Sequence, residues 1–106
     1  MNLAVQRVLE RRRAELEAVC RRRRVHRLEL FGSAATGEGR PGRSDLDFMV
    51  EFEPLPPGSY ADAFFGLMED LERLFGAPVD LVAARAVRNP YFRESVERTK
   101  ALLYAA

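Results

Sequence analysis

A single cysteine, Cys20, leaves the chain without any internal disulfide. Its order must therefore come from packing, and a reducing setting such as the cytoplasm is expected. No charged-then-apolar leader opens the sequence, and no apolar run approaches the roughly 20 residues that span a bilayer, so no membrane role is expected. Charge of one sign is also missing: 17 basic and 16 acidic residues leave a formal net charge of +1. That balance gives no overall pull toward nucleic acid or anionic lipid, so any basic character must be local. Histidine is equally scarce. His26 alternates with Leu28 and Leu30 and reads as a packed or rim side chain with no ligand role. What is present, 106 residues of which 47% are hydrophobic, suffices for one modest core, and residues 1–106 are expected to form a single domain.

Val5, Val8, Leu9, Leu16 and Val19 recur at helical spacing and predict one long amphipathic helix from Asn2 to about Arg24. Val25 to Phe31 alternates as a half-buried strand does and stops at Gly32. From Gly32 to Ser44 there are too many breakers (Gly32, Gly37, Gly39, Pro41, Gly42) for more than one helical turn after Ser33. Asp45 to Glu53 is the clearest strand: Leu46, Phe48, Val50 and Phe52 share one face, and Asp45, Asp47, Met49 and Glu51 the other. Ser59 is a plausible N-cap for a helix carrying Phe64, Leu67, Met68, Leu71, Leu74 and Phe75, which Gly76 closes. A short strand follows at Val79 to Val82. Asn89-Pro90 then opens a last helix with a stripe of Phe92, Val96 and Leu103. The expected class is α/β (α+β), a small mixed sheet of three or more strands flanked by helices.

The chemistry concentrates around the glycine loop. Asp45 and Asp47, two apart in a strand, project to the same side, where adjacent negative charges repel unless a hard divalent cation such as magnesium takes both. Asp80, between Val79 and Leu81, joins them only if the strand register brings it to the same face. Gly32 and Ser33 follow directly on a strand, where a bare backbone can approach phosphate oxygens and Ser33 adds a hydroxyl. Phosphate on one side and carboxylates on the other is the arrangement that phosphoryl or nucleotidyl transfer requires.

Gly32-Ser33, eleven residues, then Asp45-Leu46-Asp47 resembles the signature of the DNA polymerase beta nucleotidyltransferase superfamily, and within it the minimal nucleotidyltransferase (MNT) group. The resemblance covers about residues 25–83. It implies transfer of a nucleoside monophosphate, AMP from ATP, to an acceptor hydroxyl with pyrophosphate leaving. Asp45, Asp47 and Asp80 would be the catalytic and metal-holding carboxylates for two Mg2+ ions, and Gly32, Ser33, Arg43 and Ser44 the nucleotide-binding residues. The group further implies a helical HEPN protein as partner, with the chain as its antitoxin and a partner tyrosine as acceptor. One position departs: where many members have an arginine, this chain has Thr36, leaving Arg40 and Arg43 as the loop's cations.

Two functions therefore stay open, an active transferase and a catalytically weak antitoxin that acts by binding. A third, nucleic-acid binding through Arg11 to Arg13 and Arg21 to Arg24, ranks last, because Glu10, Glu15 and Glu17 interleave to make a solvated helix face. So small a chain leaves no residues for a domain that selects the acceptor, so a partner or self-association must complete the site. Leu55, Tyr60, Tyr91 and Leu103 are candidates for that contact.

Overall fold

The computed structural model describes residue 1, residues 3–36 and residues 46–106. Helix α1 (Leu3–Arg22) leads into β1 (Val25–Phe31), a single helical turn α2 (Ser33–Thr36) and β2 (Leu46–Phe52). Helix α3 (Tyr60–Phe75) connects to β3 (Val79–Ala83), a 3-10 turn at Ala84–Ala86, α4 (Pro90–Thr99) and β4 (Ala101–Ala105). The four strands form one mixed sheet in the order β3-β2-β1-β4, with β1 antiparallel to both neighbours and β2 parallel to β3.

One sheet face is the core. Leu28, Leu30, Phe48 and Val50 point into it and meet Val5, Leu9 and Leu16 from α1 and Leu67, Leu71 and Leu74 from α3, all buried. Cys20 lies among them, and burial, with Glu17 nearby, pushes its thiol up to about 12, which makes it a packing group and not a nucleophile. Gly76 takes the left-handed conformation expected of a helix stop (φ 65°) and donates its N–H to the Glu72 carbonyl. Asn89 caps α4 as its sequence position predicts, accepting from the N–H groups of Tyr91 and Phe92. Ser59 occupies the N-cap of α3, but its hydroxyl donates to the Pro56 carbonyl at 2.7 Å and does not cap.

Four local expectations are corrected. Leu103 belongs to β4, not to the last helix. Ala101-Leu102-Leu103-Tyr104-Ala105 has no alternation and good helix formers, but the open edge of β1 offers backbone partners, and pairing there overrides propensity. Leu103 is accordingly 4% exposed and unavailable as a contact residue. α1 is not one continuous helix but is broken at Arg12 (φ −127°, ψ 24°). His26 does not share the face of Leu28 and Leu30: the register shift between Val25 and Arg27 turns Val25 inward and leaves His26 exposed.

The arginines at the end of α1 are not all solvated. Arg22 and Arg23 both donate to the Asp70 Oδ2 of α3, at 3.0 and 2.8 Å, and Asp70 is buried. Gly66 makes this possible, since a Cβ there would lie 2.5 Å from the Arg23 guanidinium carbon. Burial alone would raise the Asp70 pKa, but the hydrogen bonds from Arg23 and Arg22 outweigh it and hold the carboxyl below its ordinary value. A carboxyl depressed in the folded state stabilises above its unfolded pKa, and that contribution fades as pH falls through the folded value. Asp70→Asn should therefore lower stability by about 1–2 kcal/mol at neutral pH. In denaturant melts from pH 7 to pH 3 the variant should lose less stability than the natural chain below about pH 4, the ordinary carboxylate range.

Candidate active site

The buried residues of β2 and β3 decide where the carboxylates go. Leu46 and Phe48 in β2 and Val79 and Leu81 in β3 face the core, so Asp47 and Asp80, each one residue out of phase, lie on the opposite face. The parallel register pairs Leu46 with Val79 and Asp47 with Asp80. The alignment that Asp80 needs is therefore present. It is pinned at the start of β3: Leu46 N–H donates to the Pro78 carbonyl at 3.0 Å, and Val79 N–H donates to the Glu72 carboxylate at 3.2 Å. Two carboxylates directly opposite on adjacent strands repel.

On the other side of β2, Asp47 pairs with Phe31, the last residue of β1. Gly32 follows at φ 71°, and a Cβ on it would lie 2.7 Å from Asp47 Oδ2, so the carboxylate sits where only a glycine leaves room. Helix α4 closes this corner. Its Thr99 Oγ1 accepts the Gly32 N–H at 3.0 Å and donates to the Ser95 carbonyl at 3.0 Å, while the Phe92 ring meets Phe31 edge-on at 5.6 Å. The Gly32 amide is thus engaged by Thr99. The next amides, those of Ser33 and Ala34, begin α2 and have no intrahelical acceptor by position. Ser33 itself is exposed.

Asp45, Arg43, Ser44 and Arg40 lie outside the described residues. Among the described residues no group of three or more His, Cys, Asp or Glu is placed to cage a metal ion. The pair Asp47 and Asp80 suits a different kind of site. Magnesium keeps several waters and is commonly bound through one or two carboxylates plus substrate phosphates. Two hard oxygen donors near the amides that open α2 fit a metal that arrives with a nucleotide.

Sequence reasoning did not find Thr99, Glu72 or the ion pairs that join Glu29 of β1 to Arg27 and Lys100, at 3.4 and 3.6 Å. None carries a local signal, since Thr99 lies 67 residues from the glycine it holds.

Residues 13–103 match the family model described as nucleotidyltransferase domain. The chain belongs to that family. This nucleotidyltransferase is 39% identical over 74 residues, 70% of its own length and 72% of the relative's, to a Methanocaldococcus jannaschii protein named as a candidate protein adenylyltransferase. A solved structure described as a candidate minimal nucleotidyltransferase superposes at TM-score 0.71 with 37% identity, covering 95% of both chains. The fold also matches, at TM-score 0.58 and 19% identity over 89% of this chain and 70% of the other, a structure of a tri-AMPylated Shewanella oneidensis HEPN toxin in complex with its MNT antitoxin. The minimal nucleotidyltransferase expected from Gly32-Ser33 and Asp45-Leu46-Asp47 is therefore what the chain is.

Gly32→Ala tests the packing of this corner. The positive φ should cost about 1–2 kcal/mol in a thermal melt. The displaced Asp47 carboxylate should lower nucleotidyl transfer by up to about 10²-fold, well beyond the stability loss.

Proposed function

We propose that this nucleotidyltransferase moves AMP from ATP to a hydroxyl of a helical HEPN-type protein, a tyrosine being the acceptor, and serves as that protein's antitoxin in the cytoplasm. The observation that carries the reading is the cross-strand pairing of Asp47 with Asp80 on the sheet face opposite the core, directly beside Gly32. The similarity to a protein adenylyltransferase and to an MNT antitoxin bound to an AMPylated HEPN toxin supports the choice of nucleotide and acceptor.

In this reading Asp45, Asp47 and Asp80 hold Mg2+, which supplies charge neutralisation at the phosphates and lowers the pKa of the acceptor hydroxyl. Ser33 and the amides that open α2 orient the terminal phosphates, with Gly32 setting the turn, and Arg43 and Ser44 complete the phosphate contacts. The acceptor oxygen attacks the α-phosphorus, the bond to the bridging oxygen breaks, and pyrophosphate leaves. Asp80, exposed at the strand edge, is the nearest base to receive the hydroxyl proton. The catalytic contribution is positioning and electrostatics, as phosphoryl chemistry demands.

A second reading, a weakly catalytic antitoxin acting by contact, is favoured by one observation. Thr36 carries no charge, and its hydroxyl donates to the Ser33 carbonyl at 3.3 Å, so it offers nothing like the guanidinium usual at this position.

Incubation with Mg2+, radiolabelled ATP and a cognate HEPN protein separates the two. The natural chain should label the partner, and Asp47→Asn and Asp80→Asn should each lower labelling by roughly 10²-fold or more; equal labelling by the variants would refute the transferase reading. Thr36→Arg should tighten ATP binding by roughly tenfold in a Mg2+-containing titration, about one charge-assisted hydrogen bond.

A further inference from the structure

A second feature lies on the helical side of the sheet. Helix α1 and the end of α3 enclose an open recess of about 390 Å³, walled by Arg7, Arg11 and Arg12 from α1 and Arg73 from α3, with Val8 and Phe75 in its floor. Three other arginines are engaged: Arg22, and Arg23 just beyond α1, by Asp70, and Arg13 by the Leu103 carbonyl at 3.2 Å. Arg73 reaches Asp70 only at 3.5 Å. Among the described residues Arg7, Arg11 and Arg12 make no ion pair, although Glu10 and Glu15 are close in sequence. Four guanidinium groups around one recess repel one another, and the carbonyl end of α3 offsets only part of that. The break at Arg12 interrupts α1 within this cluster.

Gly76, one of the residues lining the recess, stands four residues before Asp80, so at most about 14 Å of chain separates them. The same connection is stitched to the residue before Asp47 through the bond from Leu46 N–H to the Pro78 carbonyl. A partner held here lies on the helical side, which leaves the sheet face of Asp47 and Asp80 clear.

We infer that this recess docks an acidic amphipathic helix of the acceptor protein. Arg7 and Arg11 are one helical turn apart, about 6 Å along the axis, and match carboxylates spaced i, i+4 on a facing helix. An apolar side chain between those carboxylates rests on Val8 and Phe75. A single-stranded nucleic acid fits less well: stacking requires a free aromatic face, and Phe75 is half-buried with its ring against Phe48 at 5.4 Å. The near-zero net charge of the whole chain also gives a polyanion no long-range attraction. This inference rests on the proposal that the acceptor is a protein, and it adds the surface that selects it.

The test is fluorescence anisotropy with a labelled, helix-stabilised peptide carrying leucine at its centre and glutamates at i, i+4 flanking it. The same peptide with glutamine for glutamate and a single-stranded RNA of equal charge serve as comparisons. Saturable binding of the acidic peptide is expected, weakening as salt rises. It should be at least tenfold weaker for the glutamine peptide and for Arg7→Glu/Arg11→Glu/Arg12→Glu. Circular dichroism checks that the triple variant folds, and Arg7→Gln/Arg11→Gln, with an intermediate loss expected, replaces it if it does not. Equal binding of the two peptides, undiminished binding by the variants, tighter binding of the RNA, or no saturable peptide binding overturns the inference. Label transfer to a HEPN partner is measured on the same preparations: transfer without peptide binding removes the groove and keeps the transferase, and peptide binding without transfer does the reverse.

Discussion

Everything at the candidate site depends on the parallel register between β2 and β3. Pairing of Asp47 with Asp80 sets two like charges side by side on a sheet that could have alternated them away. A slip of one residue would send Asp80 into the core and bring Val79 or Leu81 out, so the hydrophobic pattern that builds the core also fixes the carboxylate pair. The connection before β3 reinforces that choice from both sides, with the Gly76 cap turning the chain and the Glu72 carboxylate receiving the Val79 amide. The repulsion between the aspartates is the structural expense of the site.

Around this pair the rest of the fold is support. Gly32 gives the Asp47 carboxylate room, and Thr99 and Phe92 from α4 hold the corner formed by Phe31 and Gly32. The short β4 that follows α4 covers the open edge of β1, and Lys100, at the junction between them, pairs with the buried Glu29. On the opposite face, Asp70 gathers Arg22 and Arg23 and locks α1 to α3, while Arg7, Arg11 and Arg12 make no ion pair among the described residues. Charge in this chain is thus partitioned: part binds the helices together and part faces outward around the recess.

Where a feature is written in local periodicity, the sequence discloses it. The alternation Leu46-Asp47-Phe48-Met49-Val50 announces a strand with an aspartate on its outer face, the 3.6-residue stripe through Leu67, Leu71 and Leu74 announces α3, and Asn89-Pro90 announces the start of α4. Features set by distant partners stay hidden. Ala101–Ala105 becomes a strand because β1 has a vacant edge, Thr99 matters because a glycine 67 residues away needs an acceptor, and Arg23 is held by an aspartate visible only once α1 and α3 cross. Asp80 stands between these cases: its residue type and strand context are legible, but its alignment with Asp47 is a property of pairing between strands.

The central claim is that Asp47 and Asp80 act as one divalent-cation site completed by a nucleotide. Titration of Mn2+ followed by electron paramagnetic resonance, with and without a non-hydrolysable ATP analogue, tests it most directly. The natural chain should bind Mn2+ substantially tighter with the analogue present. Asp80→Asn should weaken that binding by at least roughly tenfold, the loss of one charged ligand, with its melting temperature unchanged or raised as the repulsion is relieved. Mn2+ affinity in Asp80→Asn equal to that of the natural chain would contradict the account.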